Sequence, residues 1–472
     1  MKMAKDMKNE KTLAETLLFK KKSAFEHYSA DDRDAAMTYA EGYKDYIDCA
    51  KTEREAVKKS IGILEAAGYV PYDFGCDVAA GGKYYYNNRG KSLYAFRVGS
   101  EPITEGVRIL AAHIDSPRLD LKQNPLYEDG GMGYLKTHYY GGIRKYQWVT
   151  LPLALHGTVI LADGSSIDIT IGEEQGEPVF CVTDLLPHLG REQNTKTLGT
   201  AFNGENLSIL VASSPLVENG EVTEEDDKVK LCVMKYLNDK YGMTEEDFIS
   251  AELCAVPAGK CVDVGLDRWM LGAYGHDDIV CAYPALTALL ESDNSPHTVM
   301  CILADKEETG SDGATGMQSG LLCDMIDTIA SAMGENGAAV RAKSMCLSAD
   351  VAAGYDPLYA DVFDKKNAAF MNYGVAMAKY TGSGGKYSTN DADAEFVGFI
   401  RKIFAEKKVL WQTAELGKVD VGGGGTVAKY IANLNITTVD MGVPVLSMHA
   451  PFEVISKADL YSAHTAFKAF CL

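Results

Sequence analysis

Two adjacent glutamates, Glu307 and Glu308, follow the apolar run 299–304 in CILADKEETGSDGATG (301–316), with only Asp305 and Lys306 between. Neighbouring carboxylates resist being ionised together unless a cation lies between them. Taken alone, the pair also fits a solvated charged turn. Four further sites share its setting. His113 and Asp115 follow the apolar run 107–112, Asp277 and Asp278 stand in GAYGHDDIVCAY, Asp350 follows MCLSA, and His449 follows VPVLSM. Singly, each has a structural explanation as a satisfied core histidine, an N-cap or a turn residue. Together they are imidazoles and carboxylates without a thiolate, the composition of a two-metal hydrolytic site. In such a site one carboxylate bridges two divalent ions ~3.5–4 Å apart, which share a water of lowered pKa. The His-x-Asp spacing lets Asp115 fix the ring of His113. A carboxylate beside the ions takes the water's proton and passes it to the leaving amine, and the Glu307–Glu308 pair suits a division into base and ligand.

These residues can meet only if the elements before them end on one edge of one sheet. Apolar runs at 107–112, 299–304, 345–348, 409–413 and 437–439 read as strands. Helical patterns near 283–291, 317–333, 392–406 and 425–433 alternate with them, and a capped helix ends the chain at 456–470. A helix opens at the Thr52-Glu53-Arg54-Glu55 capping box, and a hairpin turns at Asn87–Gly90. The first fifty residues read as surface helices packed by one face. Between about 120 and 265 the pattern changes to short alternating segments with Gly-rich turns (157–161, 167–171, 179–182, 207–211), a β-rich module. The acidic stretch 218–227 reads as a solvated loop. The reading is therefore an α/β domain from 1–120 and 265–472, interrupted by a β-rich insertion at 121–264. Ligands bind at the carboxyl ends of strands in open α/β sheets, where such insertions are also usual.

A chain of 472 residues exceeds one ordinary core, and 46% hydrophobic with 24% charged residues suits a folded globular protein. The net charge of −20 disfavours nucleic acid and anionic membranes as partners. Eleven scattered cysteines without a C-x-x-C pair read as buried hydrophobes in a reducing compartment. The lysine-rich start lacks the apolar core of a secretory signal, and no run reaches membrane-spanning length. A cytoplasmic protein is expected.

AAHIDSPRLDLK, HDDIVCAYPAL, DKEETGSDGATG, LSADVAAGYDP and the late SMH, in this order from about 107 to 450, closely resemble the aspartyl aminopeptidase / vacuolar aminopeptidase I family of dizinc metallopeptidases. The resemblance implies an αβα sandwich peptidase domain interrupted by a β-rich dimerisation domain. It also implies homo-oligomers, commonly dodecamers built from dimers, that act on peptide substrates. Carried over residue by residue, His113, Asp277 and Asp350 bind one zinc, and Asp277, Glu308 and His449 bind the other, with Asp277 bridging. Cobalt or manganese would suit the same ligands. Asp115 orients His113, Glu307 is the general base, and Asp278 falls at the family's Asn, so Asp277 is preferred to it as the ligand. Gly422–Gly425 with Thr426 match a loop that lets backbone approach the substrate, with Gly424, Gly425 and Thr426 as contacts. Lys379 lies near a lysine used against acidic side chains, and His188 resembles a histidine that reaches a neighbouring subunit's site.

One departure bears on specificity. Members selective for acidic N-terminal residues carry a His three positions after the metal-binding Asp, and this chain has Ala353. A site missing that donor loses preference for a carboxylate, leaving the choice among acidic, neutral and hydrophobic residues open. Two other readings use the same sequence: a co-catalytic-zinc amidohydrolase, such as a deacylase or carboxypeptidase, and a non-catalytic assembled scaffold. Retention of Glu307 and every ligand weighs against the scaffold.

Overall fold

Four parallel strands, in the order Thr298–Ala304, Val107–His113, Met345–Ser348 and Thr437–Gly442, form the middle of a nine-stranded sheet. Parallel pairing puts their carboxyl ends on one edge. Ala304 lies opposite His113, while Ser348 pairs with Ala111 on one side and Asp440 on the other. The hairpin Lys83–Asn88/Ser92–Arg97 extends the sheet on one side, and Val375–Ala378 with Trp411–Thr413 on the other. The computed structural model describes residues 12–472; the lysine-rich start, 1–11, lies outside the described residues.

Both faces of this sheet are covered. Along Val107–His113, Leu110 and Ala112 enter one core, while Ile109 and Ala111 enter the other. Successive strand side chains point to opposite faces, so a continuous apolar run serves two cores. The first core packs helices Ala30–Ile47, Glu53–Ala66, His276–Leu290, Ala394–Lys407 and Lys457–Cys471, and the second packs Leu321–Ala332. The fold is α/β with large sheets. Helix Ala30–Ile47 buries Ala36, Ala40, Tyr43 and Ile47, the spacing of one helical face.

The stretch after His113 builds a separate antiparallel sheet, ordered Ser166–Ile171, Leu153–Ile160, Ala251–Pro257, Arg118–Asp129, Met132–Tyr140, Ile209–Ala212. It has its own core around Trp148, Leu153, Ile209 and Val256. The long ladder between Arg118–Asp129 and Met132–Tyr140 and the helix Lys228–Tyr241 were not expected from sequence. Conversely, 179–182 contributes only single bridges at Phe180 and Cys181, and the acidic loop contains a ribbon of Val217–Glu218 against Glu221–Val222. A small five-stranded sheet, also unforeseen, joins Ala352–Ala353, Pro444–Leu446 and Glu453–Ser456 to Met270–Ala273 and Val262–Val264.

An ion cluster ties the antiparallel sheet to the helical layer. His156 Nδ1 lies 2.8 Å from Glu55 Oε1 and its Nε2 lies 3.0 Å from Glu173 Oε1. Lys51 also pairs with Glu173 and donates to the carbonyls of Pro257 and Gly259. Burial works against charge on His156, but Glu173 and Glu55 overcome it and push the imidazole up to about 9. A pKa raised in the folded state stabilises fully below the unfolded value near 6.5 and is lost as pH rises through about 9. This cluster is therefore expected to contribute about 3 kcal/mol at pH 6 that disappears by pH 10. Chemical unfolding of the wild type and of His156→Gln at both pH values checks it: the gap between them should close at the alkaline end.

Candidate functional site

His113, the last residue of its strand, is 1% exposed, and its ring lies between carboxylates. Nδ1 is 3.0 Å from the Asp115 carbonyl oxygen and 3.4 Å from Asp115 Oδ1. Nε2 is 3.1 Å from Asp277 Oδ1 and 3.9 Å from Asp350 Oδ1. Asp277 comes from the start of helix His276–Leu290, where Asp277 and Asp278 are joined by a cis peptide and depart from helical dihedrals. Its other oxygen, Oδ2, is 3.3 Å from His449 Nε2, which is 3.5 Å from Glu308 Oε1. Glu307 and Glu308 sit in a single helical turn, Glu307–Thr309, entered through Lys306 at φ 71°. Asp350 lies two residues beyond strand Met345–Ser348. Gly442 packs so closely on the Asp350 carbonyl that a Cβ there would collide with it.

Ligand atoms of His113, Asp277 and Glu308 lie within 4.8 Å of one another, as do those of His113, Glu307 and Asp350. Asp278 joins Asp277 and Asp350 in a third such group, but its Oδ2 accepts the His113 N–H at 3.2 Å.

The cluster is buried and carries excess negative charge. Burial pushes Glu307 up to about 7 and raises Glu308, Asp350 and Asp278 well above the usual carboxylate range. Asp277 goes the other way: burial opposes its charge, but His113 and His449 hold it below the ordinary value. Burial likewise opposes charging His449, which Asp277 nevertheless brings up to about 10. Among the described residues, Asp278 Oδ1 is buried without a hydrogen-bond partner, and the buried Asp277 Oδ1 and Glu308 Oε1 meet only the imidazoles of His113 and His449. Carboxylates left this way need a cation. Imidazole nitrogen and carboxylate oxygen are donors that suit zinc.

A cavity of about 260 Å³ opens beside the cluster, with Asp277, Glu307, Asp350 and His449 on its wall. Gly424, Gly425 and Thr426 line it, as do Ala353, Ala376, Ala414 and Met448. Thr426 Oγ1 donates to Asp440 Oδ1 at 2.6 Å, and Gly423–Gly424 pairs with Gly382–Ser383 across the cavity's rim. Lys379 is not brought into this wall: its ammonium donates to Asp391 Oδ1 at 2.7 Å. His188 is exposed in the turn Pro187–Leu189, on the antiparallel sheet's side of the molecule.

Three supporting residues escaped the sequence reading. Buried Glu453 accepts the Asp277 N–H at 3.0 Å on one oxygen and the His449 N–H at 2.6 Å on the other. The Gly142 carbonyl lies 3.0 Å from His449 Nδ1, and Tyr140 O–H donates to Asp115 Oδ2 at 2.7 Å. The one available signal was a carboxylate, Glu453, opening an otherwise apolar strand.

The sequence model of the aminopeptidase I zinc metalloprotease family, M18, matches residues 46–471. The chain belongs to this family. A probable M18 family aminopeptidase 1 from Clostridium acetobutylicum is 47% identical over 464 residues, covering 96% of this chain and 98% of the relative. The crystal structure of an M18 aminopeptidase from Thermotoga maritima superposes with a TM-score of 0.91 at 43% identity, over 96% of this chain and 99% of that one. The S. cerevisiae mApe1 dodecamer, at 21% identity, shares the fold with a TM-score of 0.74 over 93% and 97% of the two chains. As an M18 member the chain is an aminopeptidase, a hydrolase.

In this M18 chain, Glu453→Ala leaves one buried N–H group, that of Asp277, and one part-buried, that of His449, without an acceptor, the buried one costing about 1–3 kcal/mol. Urea unfolding should show a loss of that order, with Glu453→Gln milder because one acceptor remains.

Proposed function

We propose that this M18 aminopeptidase releases single N-terminal residues from peptides at a centre for two divalent ions, zinc in the first instance. The observation that carries the reading is Asp277, buried between two imidazoles with one oxygen turned to each. His113, Asp277 and Asp350 would hold one ion, and Asp277, Glu308 and His449 the other. Bound there, the ions would supply Lewis-acid polarisation of the attacking water and the scissile carbonyl. Glu307, raised by burial toward neutrality, accepts a proton from that water and delivers it to the departing amine. Asp115 holds the His113 ring by Nδ1, leaving Nε2 directed at the centre. Gly424, Gly425 and Thr426 offer a close backbone wall to the substrate. Lys379, which pairs with Asp391 and does not line the cavity, is given no part.

The cavity supports a preference for neutral N-terminal side chains. Its lining among the described residues contains no Lys or Arg, and beyond the cluster it adds Glu415 and Asp440. An anionic side chain would be desolvated there without a partner.

Residues 1–120 and 265–472 are read as the peptidase domain and 121–264 as a dimerisation domain. Self-association through dimers into a larger homo-oligomer is part of this reading, and the mApe1 structure that shares the fold is itself a dodecamer. Leu185, Leu186, Leu189 and Leu198, exposed around His188, suit an interface that carries His188 to a neighbouring site. Eleven free cysteines suit a reducing, cytoplasmic setting. Among the described residues no helix is long and apolar enough to cross a membrane.

Leu-, Met-, Asp- and Glu-anilides test this function with and without a chelator. Leu and Met substrates should exceed the acidic pair by about 10-fold or more in kcat/KM, and chelation should abolish turnover. Metal bound without action on any free-amino substrate would overturn the reading, and cleavage of N-acylated substrates instead would favour an amidohydrolase. Glu307→Ala should lower kcat by at least about 100-fold while two ions per chain remain by elemental analysis. Loss of metal in that variant would make Glu307 a ligand.

A further inference from the structure

Strand Met132–Tyr140 belongs to the antiparallel sheet, yet its last residue reaches the carboxylate cluster of the other sheet. The target, Asp115, is fully buried. Besides facing His113, Asp115 accepts the Glu307 N–H on Oδ1 at 3.1 Å and the Glu308 N–H on Oδ2 at 3.2 Å. One residue therefore sets the His113 ring, through its carbonyl at 3.0 Å and its carboxylate at 3.4 Å, and through that carboxylate the backbone of both glutamates. Tyr140 donates to Oδ2, the oxygen that also holds Glu308.

The tyrosine is itself held. The Arg118 guanidinium lies 4.4 Å and the Lys306 ammonium 5.4 Å from its ring centroid. Arg118 is anchored in turn by Glu53 at 2.6 Å and Asp120 at 2.8 Å. The next two residues continue along the site. Gly141, at φ 74°, approaches so closely that a Cβ would lie 3.3 Å from Glu308 Cβ and Oε2. The Gly142 carbonyl then faces His449 Nδ1. Three consecutive residues of the antiparallel unit thus touch Asp115, Glu308 and His449.

We propose that Tyr140 is a positioning residue for peptide hydrolysis, acting through Asp115, and that the segment 140–142 makes the antiparallel unit a structural part of the catalytic centre. The inference rests on the aminopeptidase reading for its activity arm, and its metal arm stands without it. Mutating the group that orients a metal-binding imidazole, here Asp115, typically changes activity or metal affinity 10–100-fold. Tyr140 holds that group from a separately cored unit, one hydrogen bond further out.

Tyr140→Phe removes the hydroxyl and keeps the ring against Arg118 and Lys306. The expected result on the full-length protein is a fall in kcat of about 10-fold, the low end of that range, with KM within about twofold. Zinc dissociation, measured by competition with a chromophoric chelator, should rise about 10-fold, with the thermal midpoint nearly unchanged. Because the effect passes through Asp115, adding Tyr140→Phe to Asp115→Asn should cost much less than adding it to wild type. Wild-type kcat and zinc affinity in Tyr140→Phe, a loss confined to KM, or fully additive losses with Asp115→Asn would each overturn the proposal. Should Tyr140→Phe fail to fold, Gly141→Ala tests the role of segment 140–142 by pressing on Glu308, and wild-type kcat and zinc affinity in that variant would overturn the proposal that this segment is part of the centre. If the wild type hydrolyses no peptide, the aminopeptidase reading fails while the zinc comparison still decides this one.

Discussion

Like charges crowded into a low-dielectric interior repel strongly, and the molecule gathers Asp277, Asp278, Glu307, Glu308 and Asp350 around only two imidazoles. Every structural arrangement near the strand ends manages that repulsion. Asp277 is kept ionised by a histidine on each side, while its neighbours are pushed toward protonation by burial. The parallel sheet makes the crowding unavoidable, because the carboxyl ends of its central strands share one edge. Backbone N–H groups absorb part of the charge: Asp115 takes two, Glu453 two and Asp278 one. Among the described residues, buried oxygens of Asp277, Asp278 and Glu308 are left with no donor beyond the two imidazoles, and they mark where positive charge belongs.

The elements that carry these residues were legible because they are long or strongly patterned. Seven-residue apolar strands that end abruptly in charge can be read without a partner in view, and so can capped helices such as Glu53–Ala66. The supporting contacts were not legible, and distance along the chain is the reason. Tyr140 meets Asp115 from 25 residues away, Gly142 meets His449 across 307, and Glu453 meets Asp277 across 176. No local periodicity encodes such pairs. The five-stranded sheet was missed for a different reason: strands of two to four residues, such as Ala352–Ala353 and Pro444–Leu446, are too short to show alternation. Lys379 illustrates a third kind of pairing that local sequence does not show. Sequence places a cation near the cavity but does not disclose that Asp391, twelve residues later, already holds it.

The two sheets are built by different rules and meet at charge. One is parallel, covered on both faces, and organised by continuous apolar runs. The other is antiparallel, with its own core around Trp148. Between them lie ion clusters, His156 with Glu55 and Glu173 at one place and Arg118 with Glu53 at another. Buried polar contacts of this kind specify a single geometry, because a shift in either partner leaves a charge unpaired. That demand suits a seam beside which a phenol must meet a carboxylate.

Gly442 shows how finely the centre is gauged. Its hydrogen stands where any other residue would place a carbon against the Asp350 carbonyl. The loop bearing Asp350 can therefore rest directly on the strand that leads toward His449, and the spacing between these two segments is set by an atom that is missing. A methyl group there would wedge them apart and alter the span of the cluster without touching one of its carboxylates or imidazoles. The reach of the centre is thus written partly in residues that have no chemistry of their own.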